Sequence, residues 1–285
     1  MSVVRYGGVG EFWGVVERWY GADPVRHTVA MTVLSRLRAV GVAPEGILLV
    51  GVHRGGALVG AVFQLGAWPM ALSGLPVDTH DEVVEHLVAR GESVGRVHGP
   101  LEVVESFVER WSRAAGTTVS RSRFERLYRL GGLVAPVVSG RARFGTAEDI
   151  PLLGRWCDEF SDEALGVDER MPDGAEFARD AIDGGRGAPI WVDGMPVAMA
   201  MVTPPVAGMS RIGPVYTSKD HRGNGYGSAV TAAAAVWAAE QGARDVLLFA
   251  DQGNPVANSI YQRIGFRPVL DAVEAVFAGP NTLGV

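Results

Sequence analysis

The stretch from Ser210 to Pro268 most restricts what this chain can fold into. It orders an apolar run (Arg211-Ile212-Gly213-Pro214-Val215-Tyr216-Thr217), a glycine-rich turn (Arg222-Gly223-Asn224-Gly225-Tyr226-Gly227) and an alanine-rich helix. A second apolar run, Val246 to Ala250, and a capped segment from Asn254 onward complete it. A strand that feeds a glycine loop opening a helix presents free backbone N–H groups to an anion, above all a phosphate.

Glycine at alternate loop positions permits positive φ and lets a ligand approach the backbone without a Cβ in the way. The helix that starts at Ser228 adds unpaired N–H groups and a partial positive charge, and Arg222 is placed to add a charge-assisted contact. Two other phosphate loops do not fit. A Walker loop needs Lys-Ser or Lys-Thr after its last glycine, where this chain has Tyr226-Gly227-Ser228. A dinucleotide fingerprint needs a third glycine where Ser228 stands. Taken alone, the loop also reads as an ordinary tight turn.

The second half of the stretch narrows the choice. Val246 to Ala250 has the length and apolar character of a buried strand. Asn254 is suited to cap a helix, Pro255 to occupy its first position and Gly265 to end it. On that helix Asn258 and Tyr261 stand three apart and share a face. A capped surface helix with a packed tyrosine is the simpler account of that segment by itself.

Together these residues resemble the GNAT superfamily of N-acetyltransferases. Arg222-x-x-Gly225-x-Gly227 matches the family's acyl-CoA pyrophosphate motif, and Asn254-Pro255-x-x-Asn258-x-x-Tyr261-x-x-x-Gly265-Phe266 matches its second cofactor motif. Arg143-Phe144-Gly145-Thr146-Ala147-Glu148-Asp149-Ile150-Pro151 looks like its opening strand and first helix start. The resemblance runs from about Arg141 to Val285. It implies acetyl-CoA as co-substrate, with no metal, and a primary amine of a small molecule or peptide as acceptor. It further implies that backbone N–H groups of Arg222, Gly223, Asn224, Gly225, Tyr226, Gly227 and Ser228 hold the pyrophosphate. The strand end Val215-Tyr216-Thr217 would pair with the pantetheine arm. Asn254 and Asn258 would serve the cofactor from the other side, and Tyr261 occupies the family's general-acid position. A tyrosine near ~10 and a thiol near ~8.5 make full proton donation uphill by about 2 kcal/mol. The expected role is therefore a hydrogen bond to the departing thiolate.

No general base is evident. An amine of pKa ~10.4 is about one part in a thousand neutral at physiological pH, so a proton acceptor is required. Some relatives carry a glutamate on the strand before the glycine loop, and this strand has no carboxylate. Glu159, Asp162, Glu163 and Asp251 are the alternatives, each equally readable as a solvated surface acid. Residues 140–285 hold 12 basic and 19 acidic residues, and ten of those acids fall between Asp158 and Asp183, Asp168 and Glu169 among them. Such a segment would attract a cationic amine; it is also what solvated helix faces look like.

A net charge of −6 argues against a nucleic-acid partner, which wants a concentrated basic face. The single cysteine, Cys157, cannot form an internal disulfide and reads as core packing, which fits a reducing, cytoplasmic compartment. No uninterrupted apolar span is long enough for a membrane helix, so no membrane partner is expected.

The first half follows the same script as the second. Helical spacing covers Trp13 to Tyr20 and Val29 to Leu37, and Ile47–Val52 and Ala57–Leu65 flank a His53-Arg54-Gly55-Gly56 hairpin signal. A third strand is expected over Pro69 to Leu75, then a helix from Asp81 to Arg90, a strand at Val94 to His98, a helix from Leu101 to Ala115 and a strand from Val119 to Leu130. Where the second half has its glycine loop, the first has Pro76-Val77-Asp78-Thr79-His80-Asp81-Glu82, whose carboxylates would repel a diphosphate. His53, His80, His86 and His98 show no metal-ligand spacing.

The reading is an α/β (α+β layered) chain of two tandem GNAT-like domains, each a mixed, mostly antiparallel twisted sheet flanked by helices. Residues 1–139 form a degenerate domain without the cofactor motif and 140–285 the catalytic domain. The expected reaction is direct attack of the amine on acetyl-CoA, since no Cys–His or Ser–His arrangement supports a covalent intermediate. Alternatives are a non-catalytic acyl-CoA sensor and an activity like that of the tandem mycothiol synthases; packing against the second half, covering the acceptor site and homodimerisation are all left open as roles for the first half.

Overall fold

One order of elements, β-α-α-β-β-β-α-β-α-β, runs twice along the chain. The computed structural model describes residues 1–41, 45–164 and 173–278; Asp168 and Glu169 lie outside the described residues. The first pass is β1 (Ser2–Arg5), α1 (Val9–Gly21), α2 (Thr28–Val40), β2 (Ile47–Arg54), β3 (Ala57–Leu65), β4 (Met70–Ala71), α3 (His80–Ala89), β5 (Arg96–Pro100), α4 (Leu101–Ala115) and β6 (Val119–Leu130). The second is β7 (Arg141–Phe144), α5 (Ile150–Ala164), α6 (Gly174–Asp183), β8 (Pro189–Asp193), β9 (Met195–Val202), β10 (Met209–Thr217), α7 (Tyr226–Glu240), β11 (Asp245–Asp251), α8 (Pro255–Arg263) and β12 (Phe266–Phe277).

The two spatial units do not coincide with the two passes. The first contains Met1–Arg126, Asp251–Gly253 and the chain from Leu270 onward; the second contains Leu127–Ala250 and Asn254–Val269. The closing strand of each pass is therefore divided: residues 119–126 of β6 and 270–277 of β12 lie in the first unit, residues 127–130 and 266–269 in the second. In the first unit the strand order is β1-β2-β3-β4-β5-β12, with Val273 opposite Gly99 and Val276 opposite Arg96. In the second it is β6-β11-β10-β9-β8-β7. Pairing is antiparallel at the junctions of β1, β2 and β3, of β5 with β12, and of β7 to β10. It is parallel between β4 and β5 and between β10 and β11.

Local chemistry accounts for the boundaries. Gly55 and Gly56, both with positive φ (60° and 85°), turn β2 into β3 as a type I′ hairpin requires. Val103, Val104, Phe107 and Trp111 form the buried stripe of α4, and left-handed Gly116 ends it by donating to the Ser112 carbonyl. A capping box, Thr146 with Asp149, opens the turn into α5, and the Asp173 side chain accepts from Ala175 and Glu176 N–H to start α6. The third strand of the first half is shorter than the sequence suggests. Past Ala71 the chain leaves the strand path, and Gly74 turns its carbonyl to Ala61 N–H (2.9 Å) and the Trp19 indole (3.0 Å).

In the first unit, α3 and α4 close over Leu48, Val50, Val52 and Val97, joined by Val273, Ala275 and Phe277 of β12. In the second, alternation along β9 sends Ala198, Ala200 and Val202 toward α7 and Met199 and Met201 toward α5 and α6. Cys157 is buried in that second layer, and burial pushes its thiol up to about 12, so it packs and does not react.

Buried His27 shows what the first unit's packing does to a titratable group. Burial lowers its pKa to about 4, against a partial opposing pull from Asp23, and its Nδ1 meets Ser73 Oγ at 3.2 Å. Between pH 6.5 and 4 the unfolded chain binds a proton at His27 that the folded chain refuses, so stability is present above that window and is lost as pH falls through it. The loss is on the order of 2–3 kcal/mol. Denaturant unfolding at pH 7 and pH 4.5 is expected to show it, and His27→Gln to flatten the difference.

Candidate active site

The site is built where β10 outruns its parallel partner. Met209 to Ile212 pair with Asp245 to Leu248, and no pair follows Ile212–Leu248, although β10 continues to Thr217. On its other side β10 stays joined to β9, with Val215 opposite Ala200, Tyr216 opposite Met199 and Thr217 opposite Ala198, after an irregularity between Ile212 and Val215. The strand end Val215–Thr217 thus has one edge paired and one edge released toward β11. The two strands open into a wedge at their carboxyl ends, where ligands of parallel sheets bind.

The first unit has the same parallel pair and no wedge. Beyond the Ala71–His98 pair, Leu72 N–H still reaches the His98 carbonyl (2.9 Å), and a Cβ at Gly99 would lie 3.3 Å from Leu72 Cβ and Ser73 N. The His80 ring, wholly buried, sits at the start of α3 between Ser106 Oγ (3.0 Å) and the Leu75 carbonyl (3.3 Å).

Behind the wedge of the second unit lies the glycine loop. Gly223 and Gly225 both take φ of 82°, and Gly225 is the N-cap of α7. No described residue accepts a hydrogen bond from the backbone N–H of Gly223, Asn224, Gly225, Tyr226, Gly227 or Ser228; the first cap bond is Ala229 N–H to the Gly225 carbonyl (3.1 Å). Six adjacent donors without an acceptor, at a helix start, are a cradle for an anion. The Asn224 side chain braces the loop by donating to the His221 and Arg222 carbonyls (3.1 and 3.3 Å). Tyr226 is buried, and its hydroxyl donates to Asp193 Oδ2 (2.5 Å), which also accepts from Ser139 (2.5 Å); these two bonds hold the Asp193 carboxyl below the usual range. A Cβ on Gly225 would stand 2.8 Å from Val138 Cγ1, and one on Gly227 would stand 3.3 Å from Thr217 Oγ1.

Helix α8 forms the other wall. Asn254 caps it through Ala257 N–H (2.9 Å), with Pro255 at its first position. Asn258 Oδ1 accepts from the buried Tyr128 hydroxyl (2.7 Å) and its Nδ2 donates to the Asn254 carbonyl (2.7 Å), so Asn258 ties the helix to β6. Tyr261 packs edge-on against Phe266, ring centroids 6.2 Å apart; part of its surface stays exposed while dense packing around it pushes the phenol up to about 12. Among the described residues nothing hydrogen-bonds its hydroxyl. Gly265 follows with φ 108°, and a Cβ there would fall 1.9 Å from the Gly132 carbonyl oxygen. Gly265→Ala is expected to cost about 2–3 kcal/mol of stability, measurable by denaturant unfolding, because an L residue is strained at that φ and the Gly132 backbone must also move.

On the opposite face, α5 brings carboxylates to β10. The Tyr216 ring is buried against Trp156 (centroids 6.3 Å), and its hydroxyl is enclosed. Burial raises its pKa well above the tyrosine range, with Glu159 and Glu163 adding in the same direction and Arg222 opposing. Of the four candidate bases, Glu159 thus faces this hydroxyl, and Glu163 pairs with Arg222 (2.7 Å) and Lys219 (3.4 Å). Asp251 turns to Gly253 N–H (2.6 Å) in the first unit. The roles of Tyr128, Val138 and Asp193 carried no sequence signal: each meets the site from a distant part of the chain.

Residues 153–266 match the family model described as "Acetyltransferase (GNAT) family". This segment is a GNAT acetyltransferase domain. Its limits take in α5 from Leu153 onward, the wedge, the glycine loop and α8. Solved structures share its fold over nearly the whole chain. An acetyltransferase of the GNAT family from Colwellia psychrerythraea aligns with TM-score 0.60 and 13% identity, covering 98% of this chain and 100% of its own. A tandem GNAT protein from the clavulanic acid biosynthesis pathway aligns with TM-score 0.60 and 15% identity, over 98% and 99%. A GCN5-related N-acetyltransferase from Kribbella flavida aligns with TM-score 0.59 and 20% identity, over 88% and 95%. No curated protein matches the sequence. Among the described residues no group of three or more metal-ligating side chains converges, and no helix is long and apolar enough to cross a membrane.

Proposed function

We propose that the chain is an acetyl-CoA-dependent N-acetyltransferase with one working site, in the second unit, that acetylates a primary amine by direct attack on the thioester. The observation that carries this reading is the released edge of β10 running into six unpaired loop N–H groups. The diphosphate would lie on the backbone from Gly223 to Ser228, and the pantetheine arm would take the pairing that β11 leaves free at Val215–Thr217. Asn254 and Asn258 shape the α8 wall. Tyr261, with its phenol pushed up to about 12, stays neutral at physiological pH and donates a hydrogen bond to the departing sulfur. Outright proton transfer to a thiolate of pKa ~8.5 would be uphill by about 5 kcal/mol. On the acceptor side, Glu159 on α5 supplies negative charge for a cationic amine. The closed strand pair of the first unit supports a single site per chain.

The test is a panel of amines (amino acids, polyamines, aminoglycosides and lysine peptides) screened with acetyl-CoA for free thiol release. Turnover with at least one amine supports the enzyme reading. Acetyl-CoA binding without turnover on any amine would favour the acyl-CoA sensor.

A further inference from the structure

Arg222 opens the glycine motif, yet its side chain is committed to helix α5. Its Nε donates to the Thr217 carbonyl (3.1 Å), and its terminal nitrogen donates to Glu163 Oε2 (2.7 Å). The guanidinium also lies over the Tyr216 ring, 5.5 Å from the centroid. Lys219 Nζ stands 3.4 Å from the other Glu163 oxygen, so one carboxylate from the last turn of α5 is gripped by two cations of the segment between β10 and α7. Burial works against the Arg222 charge, and the pairing with Glu163 outweighs it, leaving its pKa raised.

An exposed ion pair alone is worth little. This one differs in what it joins. Glu163 and Glu159 stand four apart, on one face of α5. Glu159 acts on the enclosed Tyr216 hydroxyl, and Tyr216 belongs to the released end of β10. A contact that fixes Glu163 against Thr217 and Tyr216 therefore sets where the α5 carboxylates sit relative to the strand edge.

We propose that Arg222 and Glu163 are positioning residues for the acceptor side: the Glu163–Arg222–Tyr216 clamp docks the end of α5 onto β10, and the diphosphate is held by backbone N–H groups and not by the Arg222 side chain. The proposal rests on the cofactor site described above. It is tested with Glu163→Gln, Arg222→Ala and the charge-swapped pair Glu163→Arg with Arg222→Glu. The readouts are acetyl-CoA affinity by calorimetry, KM and kcat for the fastest amine of the panel, and amide hydrogen exchange over residues 160–164.

Each single variant is expected to speed exchange at the end of α5 and raise the amine KM by about 5- to 20-fold, with acetyl-CoA affinity within about 2-fold of wild type. The swapped pair should recover most of the lost KM, which a general loss of stability would not allow. A tenfold weaker acetyl-CoA affinity in Arg222→Ala but not in Glu163→Gln would overturn the proposal, because the side chain would then serve the diphosphate. Tighter acetyl-CoA binding in Glu163→Gln would also overturn it, since Glu163 would be competing for Arg222. If no amine turns over, unchanged exchange at 160–164 overturns it and faster exchange with unchanged affinity upholds it. Failure of the wild type to bind acetyl-CoA would sink the cofactor reading, while the exchange comparison would still decide the clamp.

Discussion

Gly225→Trp is expected to abolish acetyl-CoA binding while leaving the chain folded. Gly225 caps α7 at φ 82°, and its missing Cβ faces Val138 Cγ1 at 2.8 Å. An indole there must displace either the Val138 segment or the loop, and in both cases the six N–H groups stop converging. The readout is ligand-induced stabilisation. At one hundred times its Kd, acetyl-CoA should stabilise the wild type by about 2.7 kcal/mol, visible as a higher Tm, and the variant by nothing. Equal stabilisation of both proteins would show that the loop is not where the ligand binds.

Tyr261→Phe should leave acetyl-CoA affinity within about 2-fold of wild type and lower kcat by roughly 10- to 150-fold. That range follows from about 1.5–3 kcal/mol for a hydrogen bond to a charged group, made only as the thiolate develops. Burial raises the phenol to about 12, so the wild-type rate should show no basic limb from Tyr261 below about pH 11. An unchanged kcat would remove Tyr261 from the chemistry and leave it as packing against Phe266.

The parts of the site that were legible in the sequence are those whose physics is local. Gly225 before a helix, Asn254-Pro255 at a helix start and Gly265 at its end each announce a backbone conformation, and each adopts it. What the sequence hides depends on partners far along the chain. The segment from Gly131 to Gly140 runs up to the boundary expected between the two domains, yet Val134 N–H bonds the Ile264 carbonyl, Val138 abuts Gly225 and Ser139 bonds Asp193. Asn258 meets Tyr128, and Arg222 meets Glu163, across separations that no periodicity encodes. The division of β6 and β12 between the units is hidden for the same reason, because alternation specifies a strand's faces and not its neighbour. Strand β1 is four residues on a sheet edge, too short for a period to declare itself.

The central claim, one acetyl-CoA site per chain in the second unit, is tested most directly by calorimetric titration of acetyl-CoA into the wild-type chain. The account predicts saturable binding with one equivalent per chain. Two equivalents would mean that the closed β4–β5 pair opens to a ligand, and no binding would mean that the wedge and the glycine loop do not serve coenzyme A.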